Sequence, residues 1–127
     1  MHADSDRLNE LSGRVIGGAF DVLNALRAGF LEKVDENALA LELREAGLAV
    51  AQQRGVKVEY KLAVVGEYFA DLLVQDALLV EVKVVKAPED AHRMQCTNYL
   101  KATGLPLCVL LNFGKPRLEI KRVVHGL

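Results

Sequence analysis

An α/β fold, with a mixed β-sheet flanked by helices, is what this sequence predicts, and three observations predict it. Two stretches within the first 47 residues place apolar side chains at helical spacing. Short alternating and aliphatic segments then follow between positions 56 and 83, which suits an antiparallel meander. A third helical stretch leads into Leu107 to Asn112, a continuous apolar run of the sort buried in parallel sheets. The element order is ααβββαββ, and a helix crossing between two strands of one sheet makes that sheet mixed.

The first helix is expected from about Asn9 to Arg27, where Leu11, Val15, Ile16, Ala19, Phe20, Leu23 and Leu26 form a stripe. Gly17-Gly18 lowers its propensity and leaves room for another element to pack close. Ala28-Gly29 breaks the chain, and a second helix covers roughly Leu31 to Ala46, closed by Gly47. Its apolar arc is Leu31, Val34, Ala38, Leu39, Leu41 and Ala46, with Asp35 and Glu42 inside the arc and Glu32 at its edge. An acid in a packing face is costly unless it is paired or binds metal. Val56 to Val65 alternates as a half-buried strand, and Gly66 turns the chain into the strand that holds Asp71. The next strand ends in Glu81-Val82-Lys83. Pro88 precedes a third helix from about Glu89 to Thr103, stopped by Gly104-Leu-Pro106, and Leu118 to Val124 is the last strand.

A chain of 127 residues suits one domain, spanning residues 1–127, with a single core. Hydrophobic residues make up 51% and charged residues 26%, which excludes a disordered chain. No apolar run reaches the ~20 residues of a membrane span, and the polar N-terminus has no signal-peptide pattern. Cys96 and Cys108 sit in apolar contexts without metal-type spacing, so they read as reduced core residues of a cytoplasmic protein. The net charge of −1 argues against tight nonspecific nucleic-acid binding. From Lys83 onward, though, Lys83, Lys86, Arg93, Lys101, Lys115, Arg117, Lys121 and Arg122 face only Glu89, Asp90 and Glu119. That excess gives either one basic face for a phosphate backbone or ordinary solvating charges.

The hairpin between Phe69 and Lys83 carries the chemistry. If Gln75-Asp76-Ala77 is the loop, Leu72 faces Val80 and Asp71 faces Glu81. Lys83, two residues after Glu81, then shares their side of the sheet. Directly opposed like charges destabilise a sheet, so the pair calls for a cation. Lys83 supplies one charge and a divalent metal would supply the rest. Carboxylates hold a hard ion such as Mg²⁺ through oxygen, and the lysine orients or deprotonates an attacking water. The other reading is a solvated hairpin end. A two-residue loop would set Asp71 opposite Val82 and dissolve the group. On the third helix, His92, Gln95 and Tyr99 share the sheet-facing side with Cys96, Leu100 and Thr103. Inward polar groups must be hydrogen-bonded or functional, and the functional reading is the one expected here.

Asp71, Glu81-Val82-Lys83, a preceding helical Glu and the following Gln95-x-x-x-Tyr99 together resemble the PD-(D/E)XK nuclease superfamily. The chain looks most like its small GxxExxY protein family. Gly29-Phe-Leu-Glu32 matches the first part of that motif, and Ala38-Leu-Ala-Leu-Glu42-Leu, Ala70-Asp71-Leu-Leu-Val, His92-x-x-Gln95-x-x-x-Tyr99-Leu and Leu111-Asn112-Phe113 match further. Two positions depart: Asp35 stands where the family has tyrosine, and Ala70 where the superfamily often has proline. The resemblance implies a restriction-endonuclease-like core and a Mg²⁺- or Mn²⁺-dependent nuclease acting on DNA or RNA. Asp71, Glu81, the Val82 carbonyl and Glu32 would be its metal ligands. Lys83 would serve the attacking water, and Gln95 and Tyr99 would orient the site or the scissile phosphate. A catalytically silent module that binds nucleic acid or a protein is the alternative. A homodimer or partner subunit suits so small a chain, and nothing in the sequence marks the interface.

Overall fold

The computed structural model describes residues 2–126. Its elements are α1 (His2–Leu26), α2 (Glu32–Glu45), β1 (Val50–Tyr60), β2 (Ala63–Val74), β3 (Leu78–Lys83), α3 (Asp90–Thr103), β4 (Leu107–Asn112) and β5 (Glu119–Val124). This is the expected order. The strands form one sheet in the order β1-β2-β3-β4-β5. Only β3 and β4 run parallel, joined by α3, so the sheet is mixed.

Strand alternation divides the core between the two faces. Leu78, Val80 and Val82 of β3 join Leu107, Val109 and Leu111 of β4 under α1 and α2. Leu79, Cys108 and Leu110 point the other way, onto Cys96, Tyr99 and Leu100 of α3. Helix α1 packs on α2 most closely at Gly18, where a Cβ would stand 3.0 Å from a Leu43 methyl. The two thiols are free and buried.

Three local expectations are corrected. The inner face of α2 is Asp35, Glu36, Leu39, Ala40 and Leu43, whereas Leu31, Val34 and Leu41 are exposed. Leu43 and Leu39, on the inward face, lie against Gly18 of α1, which without a side chain admits them. The first hairpin turns at Lys61-Leu62 and not at Gly66, which lies inside β2 opposite Val58. Both turn residues are left-handed, at φ 50° and 67°, the geometry that matches the twist of a two-residue hairpin. Finally, His92 caps α3: its Nδ1 accepts the Glu89 N–H at 3.0 Å, completing a reciprocal box at the helix start.

Candidate active site

The second hairpin adopts the three-residue loop. Leu72 pairs with Val80, Leu73 with Leu79 and Val74 with Leu78, while Gln75 and Asp76 turn at φ 56° and 52°. Regular pairing of β2 with β3 stops at Leu72 and Val80, and the acids follow immediately. There the side chains replace backbone rungs. Asp71 N–H donates to Glu81 Oε1 at 3.1 Å, and Val82 N–H donates to Asp71 Oδ2 at 2.8 Å. The Lys83 carbonyl is turned toward β4, where it accepts the Phe113 N–H at 2.8 Å. Backbone groups of successive strand residues alternate in direction, so the Val82 carbonyl faces the gap beside Asp71.

Both acids are buried, at 8% exposure for Asp71 and 2% for Glu81. Burial pushes the Glu81 carboxyl well above its ordinary range, and the Asp71 charge adds to this. Burial also raises Asp71, against the downward pull of the Val82 N–H. Lys83 is half-buried and makes no direct ion pair among the described residues, yet its charge lowers Glu32, Asp71 and Glu81 alike.

The segment after Lys83 is fixed by Asn112, which is fully buried. Its amide donates to the Val85 carbonyl at 2.9 Å and to Glu119 at 2.8 Å. Its oxygen accepts the Val85 N–H at 3.0 Å and the Gly114 N–H at 2.9 Å. Gly114 lies so close to the Val85 backbone that a Cβ would fall 2.4 Å from its carbonyl oxygen.

Glu32, in the first turn of α2, is exposed, and the charges of Lys83 and Asp71 act on its carboxyl. Desolvation raises its carboxyl; Lys83 and the Val84 N–H lower it, and Asp71 and Glu36 raise it. Asp35 does not join the site. It is buried with Oδ1 unpartnered, and burial alone raises it to about 6. The inward acid is Glu36, one residue on, which the sequence reading missed although it lies one helical turn after Glu32. Its Oε2 accepts Lys33 Nζ at 3.0 Å and Gln52 Nε2 at 2.9 Å, and its Oε1 accepts Gln53 Nε2 at 3.0 Å. Gln53 Nε2 also reaches Asp71 Oδ1 at 3.2 Å. No sequence signal marked Gln53, a polar residue in a polar stretch of strand.

Gln95 and Tyr99 lie beneath this group on α3. Tyr99 is buried, its ring 5.6 Å from that of Tyr68, and its hydroxyl donates to the Phe69 carbonyl at 3.3 Å. Gln95 is half-buried, one helical turn before Tyr99. Burial raises the phenol, with the Glu81 and Asp71 charges adding to it. Tyr99 therefore holds the β2 backbone two residues before Asp71.

Residues 9–123 match the family described as the PD-(D/E)XK nuclease superfamily. The chain belongs to that superfamily. Comparison with curated proteins returns no match. Among solved structures, the crystal structure of SSO0001 is similar in fold, with a TM-score of 0.52 at 17% identity. The likeness covers 72% of this chain and 50% of that chain, so it spans half the length of SSO0001. No helix among the described residues is long and apolar enough to cross a membrane.

The donors that meet in this nuclease-superfamily site are all oxygen, the kind that suits a hard divalent cation. Asp71 and Glu81 oppose each other in a buried place with no direct counter-charge, which a cation would relieve. No three His, Cys, Asp or Glu side chains among the described residues gather as a ready-made metal cluster.

Proposed function

We propose that this chain is a Mg²⁺- or Mn²⁺-dependent nuclease that hydrolyses phosphodiester bonds in DNA or RNA, within the GxxExxY group of its superfamily. One observation carries the reading: the β2–β3 ladder opens where Asp71 meets Glu81, with Lys83 beside them. Asp71, Glu81 and the Val82 carbonyl would hold the cation, with Glu32 approaching from α2. Bound there, the cation would lower the pKa of water and polarise a phosphoryl oxygen.

The remaining steps belong to the chain's own groups. The Lys83 ammonium orients the attacking water and stabilises negative charge as it develops on the phosphate. Among the described residues it makes no direct ion pair, which leaves its donors available. Tyr99 keeps the Asp71 strand in place through the Phe69 carbonyl, and Gln95, one turn earlier on α3, is left to orient the site or the scissile phosphate. Buried free thiols agree with action in the cytoplasm, on nucleic acid, alone or with a second subunit.

A silent fold that binds nucleic acid or a protein partner is the second reading. It is favoured by the engagement of both Asp71 oxygens within the chain. A cleavage assay decides between them. Mixed DNA and RNA substrates with Mg²⁺ or Mn²⁺ should be cut by the wild type and left intact by Lys83→Ala. Wild-type protein that binds either polymer without cutting it would establish the silent module.

A further inference from the structure

We infer that Gln53 is a positioning residue that ties the Asp71 carboxylate to α2 and sets how tightly the site takes a divalent cation. The inference rests on the reading of Asp71 as a cation ligand. Its starting point is a conformational oddity. Gln53 stands at φ 53° in the interior of β1, between Gln52, paired with Leu72, and Arg54, paired with Ala70. A left-handed backbone disfavours any residue with a Cβ, and within a strand it interrupts the ladder. By register Gln53 lies opposite Asp71, the one position there where regular pairing lapses.

The side chain explains what this conformation achieves. A carboxamide nitrogen carries two hydrogens, and Gln53 directs both to carboxylate oxygens: Glu36 Oε1 at 3.0 Å and Asp71 Oδ1 at 3.2 Å. Glu36 is itself held on its other oxygen by Lys33 and Gln52 and is 2% exposed, so it is an anchor with little freedom. A continuous chain of hydrogen bonds thus runs from α2 through Gln53 to Asp71. Val82 N–H holds the second Asp71 oxygen, so the carboxylate is gripped at both ends. Each carboxylate oxygen keeps a further lone pair for a cation.

The choice of an amide matters. A lysine in this place would neutralise Asp71 and compete with the cation. A neutral donor fixes the geometry and leaves the negative charge in place.

Calorimetric Mn²⁺ titration and metal-free thermal melts of Gln53→Gly test this. Glycine tolerates φ 53° but removes two hydrogen bonds to buried carboxylates, so the melting temperature should fall modestly, the backbone relief offsetting part of the loss, with the protein still folded at the titration temperature. Mn²⁺ affinity should fall about 10–100-fold, the usual effect of losing a residue that orients a ligand. Gln53→Met, which keeps the length without the donors, should show the same loss. Undiminished Mn²⁺ affinity in both variants overturns the inference, and so does an affinity loss seen only in a variant that is unfolded at the titration temperature. Asp71→Asn separates the two levels. If Asp71→Asn binds Mn²⁺ like the wild type, or the wild type binds none, the underlying reading of the site falls too. If Asp71→Asn alone loses binding, only the role of Gln53 falls.

Discussion

The backbone N–H of Asp71 donates to the Glu81 carboxylate at 3.1 Å, at the point where the next rung of the β2–β3 ladder would form. Val82 N–H returns the exchange to Asp71 Oδ2. The hairpin therefore ends by trading backbone pairing for two side-chain acceptors, and the trade brings two carboxyls together in a buried place, where both can ionise only beside a counter-charge. Such an arrangement is unfavourable without a counter-charge. Lys83 opposes both acids from a distance and pairs directly with neither. The charge that is missing is the physical reason for expecting a cation.

The same imbalance makes the metal-free fold sensitive to pH. Folding raises the Glu81 carboxyl from 4.5, so the folded chain keeps that proton when the unfolded chain has released it. The folded state then binds more protons than the unfolded one, and stability falls as pH rises. Urea melts should show this decline from about pH 4.5 upward toward the raised folded value. Glu81→Gln should flatten the slope and exceed the wild type by about 1–3 kcal/mol at pH 8 without metal. Saturating Mn²⁺ should stabilise the wild type and leave Glu81→Gln unmoved. Equal slopes for the two proteins would show that Glu81 titrates normally.

Lys83→Ala should lower the rate of cleavage about 10²–10⁴-fold with Mn²⁺ binding largely retained. The ammonium acts chiefly as the transition state forms, whereas the carboxylates hold the cation in the ground state. The loss belongs in kcat. Lys83→Arg should not restore it, because the guanidinium is broader and does not give up a proton. Single-turnover kinetics showing normal rates in Lys83→Ala would remove the lysine from the mechanism.

The facing of Asp71 and Glu81 was legible because hairpin arithmetic is strict. A three-residue loop at Gln75-Asp76-Ala77 sets Asp71 opposite Glu81, and period-two alternation then adds Lys83. The buried β4 strand was equally plain from its unbroken apolar run, Leu107 to Asn112. Glu36 was missed because hydropathy marks polar residues as outward, and its burial depends on Lys33, Gln52 and Gln53 as partners. Gln53 follows from a backbone conformation that local sequence does not announce. Asp35 did suggest a role from its place in the helix, and the structure leaves it buried and unpartnered instead.

Asn112 should prove a stability residue with an effect at the site. Its side chain makes four hydrogen bonds with no exposure to water, and two of them hold the Val85 backbone just beyond Lys83. Asn112→Ala removes four hydrogen bonds to half-buried partners, each worth about 0.5–1.5 kcal/mol. Chemical denaturation should show a loss of ~3 kcal/mol, at the upper end of what single substitutions usually cost. A loss under ~1 kcal/mol would mean that the loop finds other partners.

The first hairpin offers a change in the opposite direction. Lys61 and Leu62 occupy left-handed conformations at φ 50° and 67°, and Leu62 is 98% exposed, so packing does not reward the leucine. The long β1–β2 ladder, from Val50 with Val74 to Tyr60 with Ala63, holds the turn in place despite its residues. An L-residue in this region is disfavoured by roughly 1–2 kcal/mol relative to one that accepts it. Asn-Gly is the pair that a two-residue hairpin of this twist prefers. Replacing Lys61-Leu62 by Asn-Gly should therefore raise stability by about 1–2 kcal/mol, measured by urea denaturation. The turn is far along the hairpin from Asp71, so Mn²⁺ affinity should stay as it was. A stability gain together with unchanged affinity would show that the strain in this turn, unlike that at Gln53, serves nothing at the site.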